Sequence, residues 1–279
     1  MYNVLERKNG TRNMKWLFTD FDGTLRNSKD ELNRITKEDM EFVKKIQAEK
    51  GKIIVSTGRP FEHINEHIKN EYEDFEPDYY ITNAGAAIFD NKGNKLFAEY
   101  LPDELTKEII NFAELNRKEI FSLVYSFDGE ENFFYHDMWT KEMEKTFMGM
   151  TPQNKGLEYI KDKEMICFKM GCKLQTWENL KITLNNKGLK FSSVSNNLKE
   201  ITFNEIHNFN VSKGNAIKKM IDIFNIDIKD IIVVGDDNND LSMFEHFFEN
   251  SYIVEQNHNL NFRDKARHTV KKLSDIKID

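Results

Sequence analysis

The stretch Trp16-Leu17-Phe18-Thr19-Asp20-Phe21-Asp22-Gly23-Thr24-Leu25 predicts a buried strand that ends in two carboxylates. Charges at the edge of an apolar core need a partner, and carboxylates this close repel each other unless they share a proton or bind a divalent cation. Gly23 permits a sharp turn after the strand, and Thr24 adds a hydroxyl near the same point. An ordinary acidic turn is the alternative interpretation, because Asp and Gly often end strands.

The composition is that of a soluble globular protein. The 279 residues, 39% hydrophobic and 31% charged, provide for one large domain or two ordinary ones. The net charge of -7 and the absence of a basic stripe argue against a nucleic-acid partner. Cys167 and Cys172 form no CxxC motif, which predicts buried reduced thiols and a cytoplasmic location. No apolar run reaches the roughly 18 residues of a membrane span, and the sequence gives no oligomeric state.

Strands and helices alternate in the first and last parts of the chain. The predicted strands are 16–19, 52–56, 79–83, 231–234 and 252–254, and the predicted helices are 35–48, 61–69, 213–224 and 241–248. Polar residues follow the carboxyl end of each long strand. This pattern is typical of a doubly wound, Rossmann-like α/β sheet of parallel strands, in which ligands bind beyond the carboxyl ends of the strands.

The middle of the chain has a different pattern. Hairpins or strands are predicted at 87–98, 121–127, 132–136, 165–172 and 190–195, with helices near 105–112 and 177–186. Hairpins mixed with helices indicate an α+β unit with an antiparallel sheet. The predicted organisation is a polar tail without a signal peptide (1–14), an α/β core (15–86 and 207–279) and an inserted α+β unit (87–206).

Each predicted strand end of the core supplies part of a phosphate site. The carboxylates are those of Asp20, Asp22, Asp236 and Asp240, and the anion-binding groups are the hydroxyl and free backbone N–H groups at Thr57-Gly58, with Lys213 at a helix start. Carboxylate oxygens suit Mg²⁺, whereas the absence of histidine and thiolate ligands argues against zinc.

Such a set of residues suits phosphoryl transfer. A metal ion and a lysine offset the charge on the phosphoryl oxygens while a carboxylate attacks phosphorus and forms an aspartyl-phosphate. A second carboxylic acid nearby can protonate the leaving oxygen and then activate water for the second half of the reaction.

The four motifs, in this order, resemble those of the haloacid dehalogenase superfamily, and the insertion resembles the cap of its Cof-type (class IIB) sugar-phosphatase branch. The resemblance implies a Mg²⁺-dependent phosphatase acting on a small metabolite such as a sugar phosphate or a phosphorylated cofactor. By this resemblance, Asp20 is the nucleophile and Asp22 the general acid/base, and the Mg²⁺ ligands are Asp20, the Asp22 backbone carbonyl and Asp236. The residues implied to bind phosphate are Thr57, Gly58 and Lys213, with Asn239 beside them. The residues implied to support the site are Asp240, Arg59 and Asn83.

Three positions depart from the pattern of the family. Asn83 lies one residue before the place where members usually carry an asparagine, ahead of Gly-Ala. The Glu-Ile pair that usually precedes the lysine motif could be Glu200-Ile201 or Glu205-Ile206. Glu255-Gln256-Asn257 replaces the usual Gly-Asn-Ala, which makes Asn257 the candidate after the last motif.

Two further hypotheses stay open beside the phosphatase. A phosphosugar mutase of the phosphomannomutase type would share these motifs, but it would return the phosphoryl group to its substrate instead of to water. A binding module would keep the metal site without turnover. Neither the substrate nor the cap residues that select it follow from the sequence, because a fold does not specify a ligand.

Overall fold

Two β-sheets carry the described part of the chain, which in this computed structural model comprises residues 14–27, 34–127, 130–135, 163–198 and 200–278. Nearly all of the predicted tail, residues 1–13, lies outside these ranges. The strands are β1 Trp16–Asp20, β2 Lys52–Ser56, β3 Tyr79–Thr82, β4 Ala87–Asp90, β5 Lys95–Ala98, β6 Ile120–Phe127, β7 Glu130–Tyr135, β8 Cys167–Lys173, β9 Phe191–Leu198, β10 Ile201–Asn208, β11 Ile231–Gly235, β12 Ser251–Val254 and β13 His268–Val270.

Six helices of more than one turn pack against these sheets in the described ranges. They are α1 Lys37–Ala48, α2 Phe61–Glu71, α3 Asp103–Leu115, α4 Leu174–Asn186, α5 Lys213–Phe224 and α6 Leu241–His246. Within the same ranges, no helix is long and apolar enough to cross a membrane.

The larger sheet has the strand order β13-β12-β11-β1-β2-β3-β4-β5. The strands from β13 to β3 are parallel, and β4 and β5 are antiparallel additions at one edge. In the register of β1, Asp20 lies opposite Ser56 of β2, and Thr19 lies opposite Val234 of β11. The carboxyl ends of these three strands therefore meet at one edge, called here the carboxyl edge.

Both faces of the larger sheet are covered by helices. Alternate residues of β1 point to opposite faces, so Leu17 packs with Val43 of α1 and Ile64 of α2. Phe18 points the other way and packs with Ile217 of α5 and Phe244 of α6. The predicted doubly wound α/β core with a second α+β region is confirmed, since all strands from β13 to β3 lie between two helical layers.

The smaller sheet has the order β7-β6-β8-β10-β9 and is antiparallel throughout. One face packs against α3 and α4 through an apolar core that includes Phe168, Met170 and Ile206. The opposite face carries the alternate residues of the same strands, among them Lys169 and Glu205, and we call it the polar face.

The hairpin of β4 and β5 differs from the sequence-based organisation. Its residues, 87–98, were assigned to the inserted unit, but their hydrogen bonds join them to β3 of the larger sheet. The reversal occurs in a short 3-10 turn in which Asn83 and Ala84 have φ of 48° and 57°, so the chain returns beside β3 without crossing over. The strands β10 and β13 were not predicted. The division into 15–86, 87–206 and 207–279 otherwise stays a prediction.

Candidate active site

Asp20 lies at the carboxyl edge as the last residue of β1, and its side chain is almost completely buried. Burial raises the pKa of the Asp20 carboxyl well above its usual value; the Lys213 ammonium opposes that shift, and neighbouring carboxylates reinforce it. A carboxylate in such a position stays ionised only with the help of a nearby cation.

Lys213 supplies that positive charge from the first residue of α5, where its side chain is completely buried. Its Nζ donates to Asp20 Oδ1 at 2.5 Å and to Asp240 Oδ1 at 2.6 Å. Ser212 caps the helix by accepting a hydrogen bond from the Asn215 backbone N–H at 3.1 Å. Burial lowers the pKa of Lys213, but the two carboxylates outweigh that effect and raise it above the ordinary value.

Asp240 holds both the lysine and the loop that follows β11. One carboxylate oxygen accepts from Lys213, and the other accepts from the backbone N–H groups of Asp236 at 2.8 Å and Asp237 at 3.0 Å. With both oxygens engaged inside the protein, Asp240 fixes the position of Lys213 and of Asp236.

Asp236 is the third buried acid of the site. Its Oδ1 accepts a hydrogen bond from the Thr24 hydroxyl at 2.6 Å, and its Oδ2 lies 3.3 Å from His258 Nε2. Burial raises the pKa of Asp236 to about 7. Gly23 passes so close that a Cβ at this position would overlap the Asp236 carboxylate, and its φ of +95° also favours glycine.

The group of three buried acids suits a hard divalent cation, with Asp20 and Asp236 as the candidate ligands because both oxygens of Asp240 are already engaged. One carboxylate oxygen from each of Asp20, Asp236 and Asp240 lies within 4.8 Å of the others. Lys213 is the only cation that directly pairs with Asp20 and Asp240 in the described ranges, so the group carries excess negative charge. Asn239 adds a buried Oδ1 for which no hydrogen-bond partner is found among the described residues. An all-oxygen donor set with uncompensated charge is the environment that Mg²⁺ prefers.

Asp22 lies apart from this acidic cluster. Its carboxylate accepts from Arg59 Nε and Nη2, both at 2.8 Å, and from Arg26 Nη2 at 2.6 Å. Its side chain is 39% exposed, in contrast to the buried Asp20. The predicted contact of Asp22 with a metal involves its backbone carbonyl, so it stays a prediction, as does the acid/base role of its side chain.

The loop after β2 contains the predicted phosphate-binding residues. The sequence predicts a free backbone N–H at Thr57. In the structure, this N–H donates to Ile81 O at 2.8 Å and so ties the loop to β3. The Thr57 hydroxyl accepts from the Arg59 N–H at 3.2 Å, which leaves its own proton available for a ligand. Gly58 lies against the polar face, where its carbonyl accepts from Lys169 Nζ at 3.4 Å.

Asn83 is completely buried at the end of β3 and also reaches towards the smaller sheet. Its Oδ1 lies 3.8 Å from Cys167 Sγ, and its Nδ2 has no hydrogen-bond partner among the described residues. The supporting role predicted for Asn83 is compatible with this position and stays a prediction.

Two residues of the segment after β12 form hydrogen bonds that hold the site in place, and the sequence did not indicate either of them. The Asn259 side chain donates to Asp236 O at 2.9 Å, and Gln256 Nε2 donates to Gly23 O at 2.6 Å. Asn257, the candidate from the motif, is exposed instead. The two possible Glu-Ile pairs are also separated, because Glu205 lies on β10 beside Gly58, whereas Glu200 is exposed in the turn before that strand.

A doubly wound α/β core with clustered carboxylates and a buried lysine at its carboxyl edge is an arrangement suited to phosphoryl transfer. A family model described as haloacid dehalogenase-like hydrolase matches residues 17–275. The chain belongs to this family of hydrolases, which confirms the resemblance found in the sequence.

Relatives match most of the chain, and solved structures share its fold. A protein of Mycoplasma capricolum is 42% identical over 94% of this chain and 99% of its own length. A Mycoplasma pneumoniae protein, provisionally named a phosphatase, is 26% identical over 84% of this chain and 83% of its own. The fold is similar to that of a sugar phosphatase of HAD subclass IIB, with a TM-score of 0.72, 19% identity and coverage of 94% and 97%. It is also similar to a Thermotoga maritima structure, with a TM-score of 0.76, 16% identity and coverage of 96% and 99%.

Proposed function

We propose that this chain is a Mg²⁺-dependent phosphatase that hydrolyses a small phosphorylated metabolite through an aspartyl-phosphate intermediate. The observation that carries this proposal is the Lys213 ammonium, which is completely buried and lies 2.5 Å from Asp20 and 2.6 Å from Asp240. A buried carboxylate kept ionised by a lysine is a nucleophile, and the same lysine can offset charge on an incoming phosphoryl group.

In the first half of the reaction, an Asp20 carboxylate oxygen attacks phosphorus. The bond from phosphorus to the leaving oxygen breaks, and that oxygen takes a proton from Asp22 acting as general acid. The Thr57 hydroxyl, which keeps its proton free, and Lys213 are suited to hold the phosphoryl oxygens. The products are the released alcohol and a phosphorylated Asp20.

In the second half, water gives a proton to Asp22 and attacks phosphorus, and the bond from Asp20 to phosphorus breaks. Free phosphate and the original carboxylate result. Arg26 and Arg59 hold the Asp22 carboxylate on the exposed side of the site. The acid/base role therefore requires the Asp22 side chain to leave these guanidinium groups and turn towards the leaving oxygen or the water.

Asp20, Asp236 and the Asp22 backbone carbonyl would hold Mg²⁺, with Asn239 beside them. When bound, the ion supplies charge stabilisation to the transferring phosphoryl group. The protein's own part is to keep Asp236 in place through Thr24 and Asn259, and to keep Lys213 in place through Asp240. Similar proteins that are named as phosphatases support the same reaction class.

The test is release of phosphate from p-nitrophenyl phosphate with and without Mg²⁺. We expect Mg²⁺-dependent turnover that falls by about 10³-fold or more in Asp20→Asn, because the amide cannot act as nucleophile. Acid quenching with a radiolabelled substrate should trap label on the protein, and Asp20→Asn should trap none. Asp222→Asn is the matched control, since Asp222 is an exposed carboxylate on α5.

Three outcomes separate the competing functions. Full activity of Asp20→Asn would exclude the mechanism. Isomerised hexose phosphate without free phosphate would favour the mutase. Lack of turnover with any phosphate ester, in protein that binds Mg²⁺, would favour a binding module.

A further inference from the structure

Two guanidinium groups hold the Asp22 carboxylate from different parts of the chain. Arg59, in the loop after β2, donates from Nε to Asp22 Oδ2 and from Nη2 to Oδ1, both at 2.8 Å. Arg26, four residues after Asp22, donates from Nη2 to the same Oδ1 at 2.6 Å. The Asp22 carboxylate therefore faces hydrogen-bond donors, although a general acid must present its proton to an acceptor.

The turn that carries Asp22 also fixes the position of Arg26. The Arg26 backbone N–H donates to Phe21 O at 2.7 Å, and the Arg26 carbonyl accepts from the Gly23 N–H at 2.8 Å. Arg26 Cζ lies 5.6 Å from the centre of the buried Phe21 ring, and Arg59 Cζ lies at the same distance of 5.6 Å. The Phe21 ring is therefore a common support for both guanidinium groups.

His67 of α2 contacts the terminal nitrogen of Arg26 that Asp22 leaves free. Its Nε2 lies 3.4 Å from Arg26 Nη1, and its ring meets the Phe21 ring edge to face at 5.4 Å. Because a guanidinium group only donates, His67 Nε2 is the acceptor in this contact and carries no proton. Burial lowers the pKa of His67; Glu71 opposes this shift, and the two guanidinium groups reinforce it. The neutral form of His67 that this contact needs is thus favoured.

The remaining nitrogen of the Arg26 guanidinium lacks an acceptor. Arg26 Nε is buried and has no hydrogen-bond partner among the described residues. An unpaired buried donor is unfavourable, so the Arg26 side chain does not adopt this position to complete its own hydrogen bonds. Its contacts with Asp22, His67 and the Phe21 ring set the position instead.

The two arginines differ in what else they support. Arg59 belongs to the loop that is proposed to bind phosphate, where its backbone N–H donates to the Thr57 hydroxyl at 3.2 Å. The Arg59 carbonyl accepts from the Asn83 N–H at 3.1 Å, which joins the same loop to the end of β3. Replacement of Arg26 therefore removes one hold on Asp22 and leaves these backbone contacts of the loop in place.

We propose that Arg26 is a positioning residue that keeps the Asp22 carboxyl turned away from the leaving oxygen and has to release it before the proton is transferred. The inference rests on the proposed phosphatase function, in which Asp22 is the general acid. Once released, Asp22 gives its proton to the leaving oxygen while the bond from phosphorus to that oxygen breaks. The side chains of Arg26 and Asp22 are 18% and 39% exposed, so solvent weakens their contact and its effect on the rate is modest.

The experiment compares kcat/KM for phenyl phosphate and p-nitrophenyl phosphate in the unchanged protein and in Arg26→Met. Phenolate is a much stronger base than p-nitrophenolate, so phenyl phosphate depends more on a proton from Asp22, and kcat/KM reports the half-reaction that uses this proton. We expect the ratio of phenyl to p-nitrophenyl phosphate to rise about threefold or more in Arg26→Met. Any loss of attraction for the phosphate group affects both substrates and cancels in the ratio.

Further variants show whether Arg26 acts through Asp22. In an Asp22→Asn background no acid is left to release, so Arg26→Met should change the ratio by less than about twofold. Arg26→Lys keeps a positive charge without the planar fork, and it should raise the ratio less than Arg26→Met does. Arg267→Met is the matched control: Arg267 precedes β13 and lies 3.8 Å from Glu249, and its replacement should leave the ratio unchanged.

A constant ratio in Arg26→Met would overturn the proposal, because Arg26 would then only stabilise the turn. A lower ratio would overturn it as well, since Arg26 would then guide Asp22 towards the leaving oxygen. An equal rise in the Asp22→Asn background would show that Arg26 acts on the substrate and not through Asp22. Misfolding lowers both rates without raising the ratio. Failure of the phosphatase function itself is distinguishable, because the unchanged protein would then hydrolyse neither substrate with Mg²⁺.

Discussion

Gly23 is the residue at which backbone conformation and the acidic site depend on each other. Its φ is +95°, and a Cβ there would overlap the Asp236 carboxylate. We expect Gly23→Ala to displace Asp236 and to lower kcat/KM by ~100-fold or more, because small misplacements of catalytic groups are costly. Thermal unfolding and Mg²⁺-dependent phosphate release measure the two effects.

Gly188→Ala is the matched control for Gly23→Ala. Gly188 also has a positive φ, +69°, but a Cβ there would contact nothing within 4 Å. It should therefore show only the backbone cost of about 1–2 kcal/mol for an L-residue in this conformation, with unchanged activity. Equal activities of the two variants would contradict a role for the close approach to Asp236.

The raised pKa of Asp236 leads to a prediction of how Mg²⁺ and pH together affect the stability of the protein. Burial raises its pKa to about 7, above the roughly 3.9 of an unfolded chain. Without metal, the folded state binds more protons than the unfolded state between about pH 4 and about pH 7. The free energy of unfolding therefore falls as the pH rises through this window. If Asp236 binds Mg²⁺ as proposed, the ion removes this penalty by binding the ionised carboxylate, and it should raise Tm more at about pH 8 than at about pH 5.

Circular dichroism at both pH values, with and without Mg²⁺, measures this difference. Asp236→Asn should reduce both the pH slope in this window and the larger Mg²⁺ effect at the higher pH, with the remaining slope due to Asp20, whose pKa is also raised. Equal Mg²⁺ shifts of Tm at the two pH values would show that Asp236 does not bind the ion.

The sequence identified side chains that meet through strand ends and a helix start. Asp20, Asp236, Asp240 and Lys213 come together because strand order alone brings their backbone positions to one edge. It did not identify Gln256 and Asn259, whose contacts are made to backbone carbonyls across a loop. Such contacts depend on the path of the loop and leave no spacing pattern in the sequence.

At the scale of elements, the start of α5 positions the lysine of the site. Ser212 caps this helix, and Thr36 caps α1 in the same way by accepting from the Asp39 N–H at 3.2 Å. Ser212→Ala and Thr36→Ala should each lower the free energy of unfolding by about 1 kcal/mol. Only Ser212→Ala should also lower kcat, by ~10-fold, because Lys213 is the next residue.

Urea unfolding and steady-state kinetics of the two variants measure these effects. A loss of kcat in Thr36→Ala of the same size as in Ser212→Ala would mean that general stability, and not the position of Lys213, limits turnover.

Which elements could be predicted follows from their burial. Fully buried strands such as β1 and β11 are apolar runs and were found at nearly their observed positions. β10 is not predicted because its core face carries the polar residues Thr202 and Asn204 while the opposite face carries Phe203 beside Glu205, so the alternation of apolar and polar residues typical of a half-buried strand is absent. The β4–β5 hairpin was found, but its sheet could not be, because local sequence does not specify which edge a hairpin joins.

At the scale of the whole molecule, the two cysteines lie in places that we expect to open in different ways. Cys167 lies at the seam between the sheets beside Asn83, and Cys172 lies in the apolar core of the smaller sheet, where burial raises its pKa to about 12. Separation of the sheets exposes Cys167, whereas Cys172 requires unfolding of its own core. Mg²⁺ with beryllium fluoride, a phosphoryl mimic, should therefore slow labelling of Cys167 by ~10-fold.

Single-cysteine variants, Cys172→Ala and Cys167→Ala, separate the two labelling rates. The rate for Cys172 should follow the rate of global unfolding measured by circular dichroism under the same conditions. An equal, ligand-independent rate for both thiols would show that the sheets do not separate without unfolding.

Lys213 follows Asp20 by 193 residues, which has a consequence for biosynthesis. At the usual ribosomal speed, Asp20 emerges roughly 10 to 40 seconds before Lys213. Until then Asp20 lacks the ammonium group that pairs with it in the folded protein, so a nascent chain stalled short of Lys213 should leave β1 open to proteases. The pair formed by Asp20 and Lys213 is thus completed only late in synthesis.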